Sequence, residues 1–182
     1  MATNDRHVPP AVMNAARREY ERSRWMGALA VAWFAVPMAI VAVQGGAQVF
    51  WASVNALSLM ALSAGLLWRG QVYGAAVLPG IVAGAVPYLA PLLLQRGVGS
   101  FAALGSTLFF ATGIIAGGIV SALTLRRHAG QRVFLFAGCA VAALTGLFGC
   151  TLGGLFGVFG MIGGFALFTA PAFARLFWQR SA

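Results

Sequence analysis

The chain has 182 residues, of which 60% are hydrophobic and 8% charged, with a formal net charge of +9 and a mean hydropathy of +0.87. Soluble proteins are about 25% charged, so this composition excludes a soluble globular domain. Beyond the first 25 residues there is room for six apolar spans of about 20 residues each and for no separate soluble domain.

All twelve basic residues are arginine, and the three carboxylates, Asp5, Glu19 and Glu21, lie near the amino terminus. No carboxylate follows Trp25. A charge at the bilayer centre costs about 2.5–3.5 kcal/mol, and the arginines stand outside the apolar runs or at their edges. The positive charge therefore reads as the flanking charge of membrane segments, and no direct nucleic-acid binding is expected.

The amino-terminal tail comes first. Pro9-Pro10 precedes a helical stretch, Ala11–Arg24, with Pro10 at its start where a proline is tolerated. Val12, Ala16 and Tyr20 form one stripe at four-residue spacing. Arg17 faces Glu21 four residues on, and Arg18 faces Glu21 and Arg22. One reading is a basic helix resting on anionic lipid headgroups, at about 1 kcal/mol per arginine. The other is a docking peptide for a cytosolic protein, carried by Val12, Arg17, Arg18, Tyr20, Glu21 and Arg22. The tail lacks a small-residue cleavage site before the first apolar run, so that run is expected to be retained.

The apolar runs are Met26–Val43, Val49–Trp68, Gly74–Leu94, Phe101–Leu125, Val133–Cys150 and Leu155–Phe173. The break between the last two carries no charge. A single straight helix over Val133–Phe173 would be roughly 60 Å long at 1.5 Å per residue, about twice the hydrocarbon core, so a hairpin is expected there. With an even number of spans and the amino terminus inside, Arg6, Arg17, Arg18, Arg22, Arg24, Arg69, Arg126, Arg127, Arg132, Arg175 and Arg180 fall on the cytoplasmic side, and only Arg96 falls outside. The expected location is the bacterial inner membrane, with both termini cytoplasmic. Trp25, Trp51, Trp68 and Trp178 stand at span ends, where interfacial indoles belong.

Within the spans, Pro79, Pro87 and Pro91 should kink the third helix and free carbonyls that must be buried in protein or face a wet cavity. Asn55 is the costliest polar group in a span; it is expected to bond across helices or to touch a solute. Asn55, Pro79, Pro87, Tyr88 and Pro91 are the candidate cavity residues. Glycines at four-residue spacing (Gly80 and Gly84, Gly113 and Gly117, and the ladder Gly149, Gly153, Gly157) point to close helix packing within the bundle, with an oligomer face as the alternative. An offset of 80 lays Gly80, Gly84 and Ala90-Pro91 over Gly160, Gly164 and Ala170-Pro171, the pattern that an inverted three-plus-three repeat would leave.

Chemistry is sparse. His7 and His128 lie outside the spans, and no cluster of His, Cys, Asp or Glu suggests a metal site. No phosphate loop or nucleophile motif occurs, so no catalytic, metal or cofactor-binding residue is expected, and an enzyme is not. Cys139 and Cys150 share one helix face roughly 16 Å apart, beyond the reach of a disulfide.

The layout of a short tail containing Val8-Pro9-Pro10-Ala11-Val12-Met13, a basic helix, six spans with minimal loops and two cysteines resembles the six-span integral-membrane anti-sigma factors, the NrsF-like group. The resemblance implies that the tail, around Val12–Arg24, holds an extracytoplasmic-function sigma factor at the membrane. The family's cysteines are far apart in sequence and these are not, so redox sensing does not carry over. The expected architecture is all-α: a tail over residues 1–25, a bundle of six transmembrane helices over 26–174 and a short carboxyl-terminal tail over 175–182. A small transport component binding an uncharged or anionic solute beside the kinked third helix, and a structural subunit of a membrane complex, remain alternatives. Membrane lipids are partners in every case.

Overall fold

The computed structural model describes residues 10–98, 105–127 and 129–178. Every regular element among them is a helix: α1 (Pro10–Gln44), α2 (Val49–Arg69), α3 (Gln71–Gly74), α4 (Val77–Val98), α5 (Gly105–Leu125) and α6 (Gln131–Trp178). Long uncharged runs favour this outcome, because a helix satisfies its own N–H and C=O groups where no water is present. Six stretches are long and apolar enough to cross a membrane: Arg17–Gln44, Val49–Arg69, Val72–Leu93, Thr107–Leu125, Gln131–Cys150 and Phe156–Trp178. They match the six expected runs one for one.

The first stretch reaches back to Arg17 because α1 does not stop where the tail meets the apolar run. Its 35 residues form one helix, so the boundary expected near residue 25 is a change of composition and not of structure. α1 ends in a tight turn where Gly46 takes a φ of +100°, in the left-handed region that favours glycine. The amides of Gly45 and Ala47 bond back to the carbonyls of Val41 and Ala42, closing the last turn.

The third stretch differs from expectation in detail. It begins with the single helical turn α3, and α4 starts only at Val77. Pro79 therefore sits in the first turn of α4, where a missing N–H costs nothing. Only Pro87 and Pro91 lie inside the helix.

α6 holds helical backbone over 48 residues yet folds back on itself. The rings of Phe136 and Phe173 are 4.9 Å apart, and the Cys150 and Met161 sulfurs are 3.5 Å apart. These contacts centre the reversal between Cys150 and Phe156 and divide α6 into a first arm, Gln131–Cys150, and a second arm, Phe156–Trp178. The hairpin expected from length alone is present, although helical backbone continues through the bend.

The α6 hairpin is the centre of the bundle. Its first arm packs on α4: a Cβ on Gly80 would stand 2.7 Å from Val141, and one on Gly84 would stand 2.5 Å from the Ala142 carbonyl oxygen. Its second arm packs on α5 through Gly113 against Met161, Gly117 against Phe165 and Gly164 against Phe110. α1 and α2 pair on the other flank, where Val31, Ala35, Met38 and Leu59 join Val141 and Phe148 in one buried cluster. The glycines thus serve contacts within the chain, as small residues do where lipid supplies no hydrophobic drive.

Two sequence patterns dissolve on this geometry. Gly149 and Gly157 do not share a helix face, because the hairpin puts them on different arms: Gly149 meets Pro87 and Tyr88 of α4, whereas Gly157 meets Phe109 of α5. The offset of 80 also fails to carry packing with it. Gly84 meets the first arm of α6, and its counterpart Gly164 meets α5. The bundle's outer surface is strongly apolar, with Trp33 81% and Phe156 80% exposed, a surface that water does not favour.

Candidate functional site

Three regions bear on function. The first is the amino-terminal part of α1. Arg17, Arg18, Glu19, Tyr20, Glu21 and Arg22 are all exposed. Arg17 Nε donates to Glu21 Oε1 at 3.1 Å, the i, i+4 pair expected from the sequence. Val12 and Arg24 lie in the helix, but their side chains are outside the described residues. At 1.5 Å per residue, a 35-residue helix is roughly 50 Å long, against about 30 Å for a hydrocarbon core. The excess carries the charged residues.

The second region is the arginine-rich end of the bundle. Trp25 meets Trp68 edge-on with ring centroids 6.1 Å apart, and a Cβ on Gly130 would strike Val72. Arg127 lies 4.2 Å over the Phe134 ring. Arg132 lies 4.8 Å over the Phe177 ring, and its Nη2 donates to the Leu176 carbonyl. That carbonyl belongs to the last turn of α6, which has no intrahelical donor, so Arg132 caps the hairpin from its own start. These contacts bring the α1 charge boundary, the α2–α3 junction, the α5–α6 loop and the end of α6 to one end. Arg69, Arg126, Arg127, Arg132 and Arg175 gather there. Arg6, Arg180 and His128 lie outside the described residues, as does the side chain of Arg96.

The third region is the expected cavity, and its members separate. Pro87 and Pro91 are buried, and Pro79 is half-buried. Pro91 lacks the N–H that would bond to the Pro87 carbonyl, and that freed oxygen abuts Gly149, leaving no room for a Cβ there. Tyr88 is buried; its hydroxyl donates to the Met38 carbonyl at 3.2 Å, and its ring meets Phe148 at 6.4 Å. The freed Pro87 carbonyl is thus covered by protein, one of the two outcomes that hydrocarbon depth allows.

Asn55 stands elsewhere. Its Nδ2 donates to the Leu144 carbonyl at 3.0 Å, tying α2 to the first arm of α6. It lines a groove of about 840 Å³ between α2 and the α6 hairpin, together with Gln48, Trp51, Val54, Ser58, Leu144, Leu147, Cys150 and Val158. The signal was present in the sequence: Gln48, Trp51, Asn55 and Ser58 recur at three- and four-residue spacing along one face of α2.

Cys139 and Cys150 are both free thiols on the first arm of α6, and Cys150 is fully buried. Among the described residues no group of three or more His, Cys, Asp or Glu is placed to hold a metal ion. Comparison of the chain with protein-family models, with curated proteins and with solved structures gave no match. Six apolar helices in one all-α bundle suggest a multi-pass membrane protein.

Proposed function

We propose that this chain is a regulatory protein of the bacterial inner membrane, with both termini cytoplasmic, whose amino-terminal helix docks a cytosolic protein. By the resemblance in layout, that partner is an extracytoplasmic-function sigma factor, held away from the polymerase at the membrane. The single observation that carries the reading is the continuity of α1 from Pro10 to Gln44. A helix that runs unbroken out of an apolar bundle presents its charged residues on a rigid stalk, and the ordering entropy a flexible tail would lose on binding is already spent. Arg17, Arg18 and Arg22 suit an acidic face on the partner, and Tyr20 adds an aromatic contact.

Orientation follows from charge. The arginine-rich end takes the cytoplasmic side under the positive-inside bias. The transport alternative placed its solute beside Asn55, Pro79, Pro87, Tyr88 and Pro91; Pro87, Tyr88 and Pro91 are buried in packing, whereas Asn55 lines a groove of about 840 Å³. The structural-subunit alternative needed free glycine faces, and Gly80, Gly84, Gly113, Gly117, Gly149 and Gly164 are occupied by contacts within the chain.

The test is membrane recruitment. The full chain, co-expressed with the host's extracytoplasmic-function sigma factors one at a time, should carry one of them into the membrane fraction. A chain lacking residues 1–24 should insert and carry none. Equal recruitment by both chains, or recruitment of none by either, contradicts the proposal.

A further inference from the structure

Arg132 caps the α6 hairpin with a charge that no carboxylate neutralises. Its hydrogen bond goes to a neutral backbone carbonyl, that of Leu176, and its stacking partner is the Phe177 ring. A carbonyl dipole and a ring face attract a cation but leave its net charge in place. No side-chain carboxylate follows Glu21 in the sequence, and the one ion pair among the described residues joins Arg17 to Glu21. Arg69, Arg126, Arg127 and Arg175, at the same end of the bundle, add to the positive field.

Beneath Arg132 the hairpin is aromatic. The two arms of α6 run in opposite directions, so Phe136, four residues after Arg132, and Phe173, four residues before Phe177, both lie roughly 6 Å deeper in the bundle. Their rings meet at 4.9 Å, and the Phe177 ring stands 6.3 Å from Phe136 and 6.4 Å from Phe173. Phe136 and Phe177 are exposed. Four-residue spacing puts Arg132 and Phe136 on one face of the first arm. Phe134, on the other side of that arm, is buried with Ala76 and carries Arg127 over its ring, so the Arg132 face is the outward one.

From the end of the bundle inward the order is a cation and then exposed rings. A membrane lipid standing in that leaflet presents its groups in the same order, phosphate first and acyl chain deeper. A soluble anion would use the arginine and leave the rings uncovered. A zwitterionic phospholipid would bring an ammonium into the field of five clustered arginines, where like charges repel. We infer that the Arg132 face of the α6 hairpin is a binding site for an anionic phospholipid of the phosphatidylglycerol class, with its phosphate on the Arg132 guanidinium and an acyl chain along Phe177, Phe136 and Phe173. Guanidinium and phosphate suit each other in charge and in planar, two-pronged geometry. The site is separate from the docking role proposed for α1.

The full chain is placed in phosphatidylcholine nanodiscs that contain a small fraction of phosphatidylglycerol with a diazirine on its acyl chain, or the same fraction of phosphatidylcholine labelled in the same way. After illumination, peptide mapping measures labelling around Phe136 and Phe173 relative to labelling around the exposed Trp33 of α1. Phosphatidylglycerol should exceed phosphatidylcholine by about fivefold, the contribution of one arginine near an anionic surface. Arg132→Gln keeps a donor and removes the charge, and should bring the two lipids level. Phe136→Glu leaves Arg132 in place but gives it a carboxylate four residues on, and should do the same. Arg69→Gln removes one charge from the same end without touching the hairpin, and should leave the preference intact. Excess inorganic phosphate should leave it intact as well. Equal labelling by the two lipids, a loss in Arg69→Gln as large as in Arg132→Gln, or displacement by phosphate overturns the inference.

Discussion

Arg132 donates to the backbone carbonyl of Leu176, 44 residues further along the chain. The same guanidinium covers the Phe177 ring. One side chain thus closes both ends of the α6 hairpin, and does so with a charge-assisted bond to a carbonyl that no helical amide can reach. Replacing Arg132 with Ala should cost about 2 kcal/mol, the usual range for a hydrogen bond to a charged group. Arg132→Lys should recover part of that, since it keeps the charge and loses the planar contact. Thermal unfolding in mild detergent measures both; an unchanged midpoint for Arg132→Ala would remove the cap from the account.

Gly164 and Gly113 make reciprocal contacts between α5 and the second arm of α6, each Cα seated on a carbonyl oxygen of the opposite helix. Gly164→Ala or Gly113→Ala must push the two helices apart, at about 1–3 kcal/mol for overpacking. Gly65 is the internal control, because a Cβ there meets nothing within 4 Å. Gly65→Ala should be neutral or stabilising by up to about 1 kcal/mol through helix propensity. If all three variants melt together, close glycine packing does not hold this hairpin.

Much of the bundle was legible because apolar length and arginine placement are coarse, strong signals. The hairpin in α6 followed from the mismatch between 41 apolar residues and one bilayer thickness, and Phe136 against Phe173 bears it out. Partner choice was less legible. Gly149 and Gly157 fit a ladder on paper, but the position of the bend decides which helix each one meets. The prolines pointed correctly to freed carbonyls, yet composition could not say whether those would be wet or packed; Gly149 against the Pro87 carbonyl answers that. Asn55 was rightly expected to bond across helices. Asn55 was also named for a cavity and does line a groove, but with Gln48, Ser58 and the α6 hairpin in place of the prolines, because composition could not say which helix its face would meet.

The cysteines should stay apart. Cys139 and Cys150 share one helical arm, roughly 16 Å apart along its axis, well beyond the reach of a disulfide. Mild oxidation of the folded protein should leave the 139–150 pairing absent from a non-reducing peptide map. Its rapid appearance would mean that the first arm of α6 unwinds.

Topology has an independent readout. Single cysteines placed at Gln48 and at Ala129, in a chain with Cys139 and Cys150 replaced by Ala, should react with a membrane-impermeant maleimide on opposite sides of the membrane. Gln48 should label in intact spheroplasts, and Ala129 only after lysis, because the proposed orientation puts the arginine-rich end in the cytoplasm. Labelling of both from the same side would break the six-span arrangement.

The docking role proposed for α1 is tested most directly by photo-crosslinking in living cells, with the photoreactive residue at Arg18, exposed in the charged part of the helix, and at Trp33, exposed within the apolar stretch. The account predicts a covalent adduct between position 18 and the sigma factor, and none from position 33. No adduct at position 18 while the same cells keep that sigma factor at the membrane would contradict it.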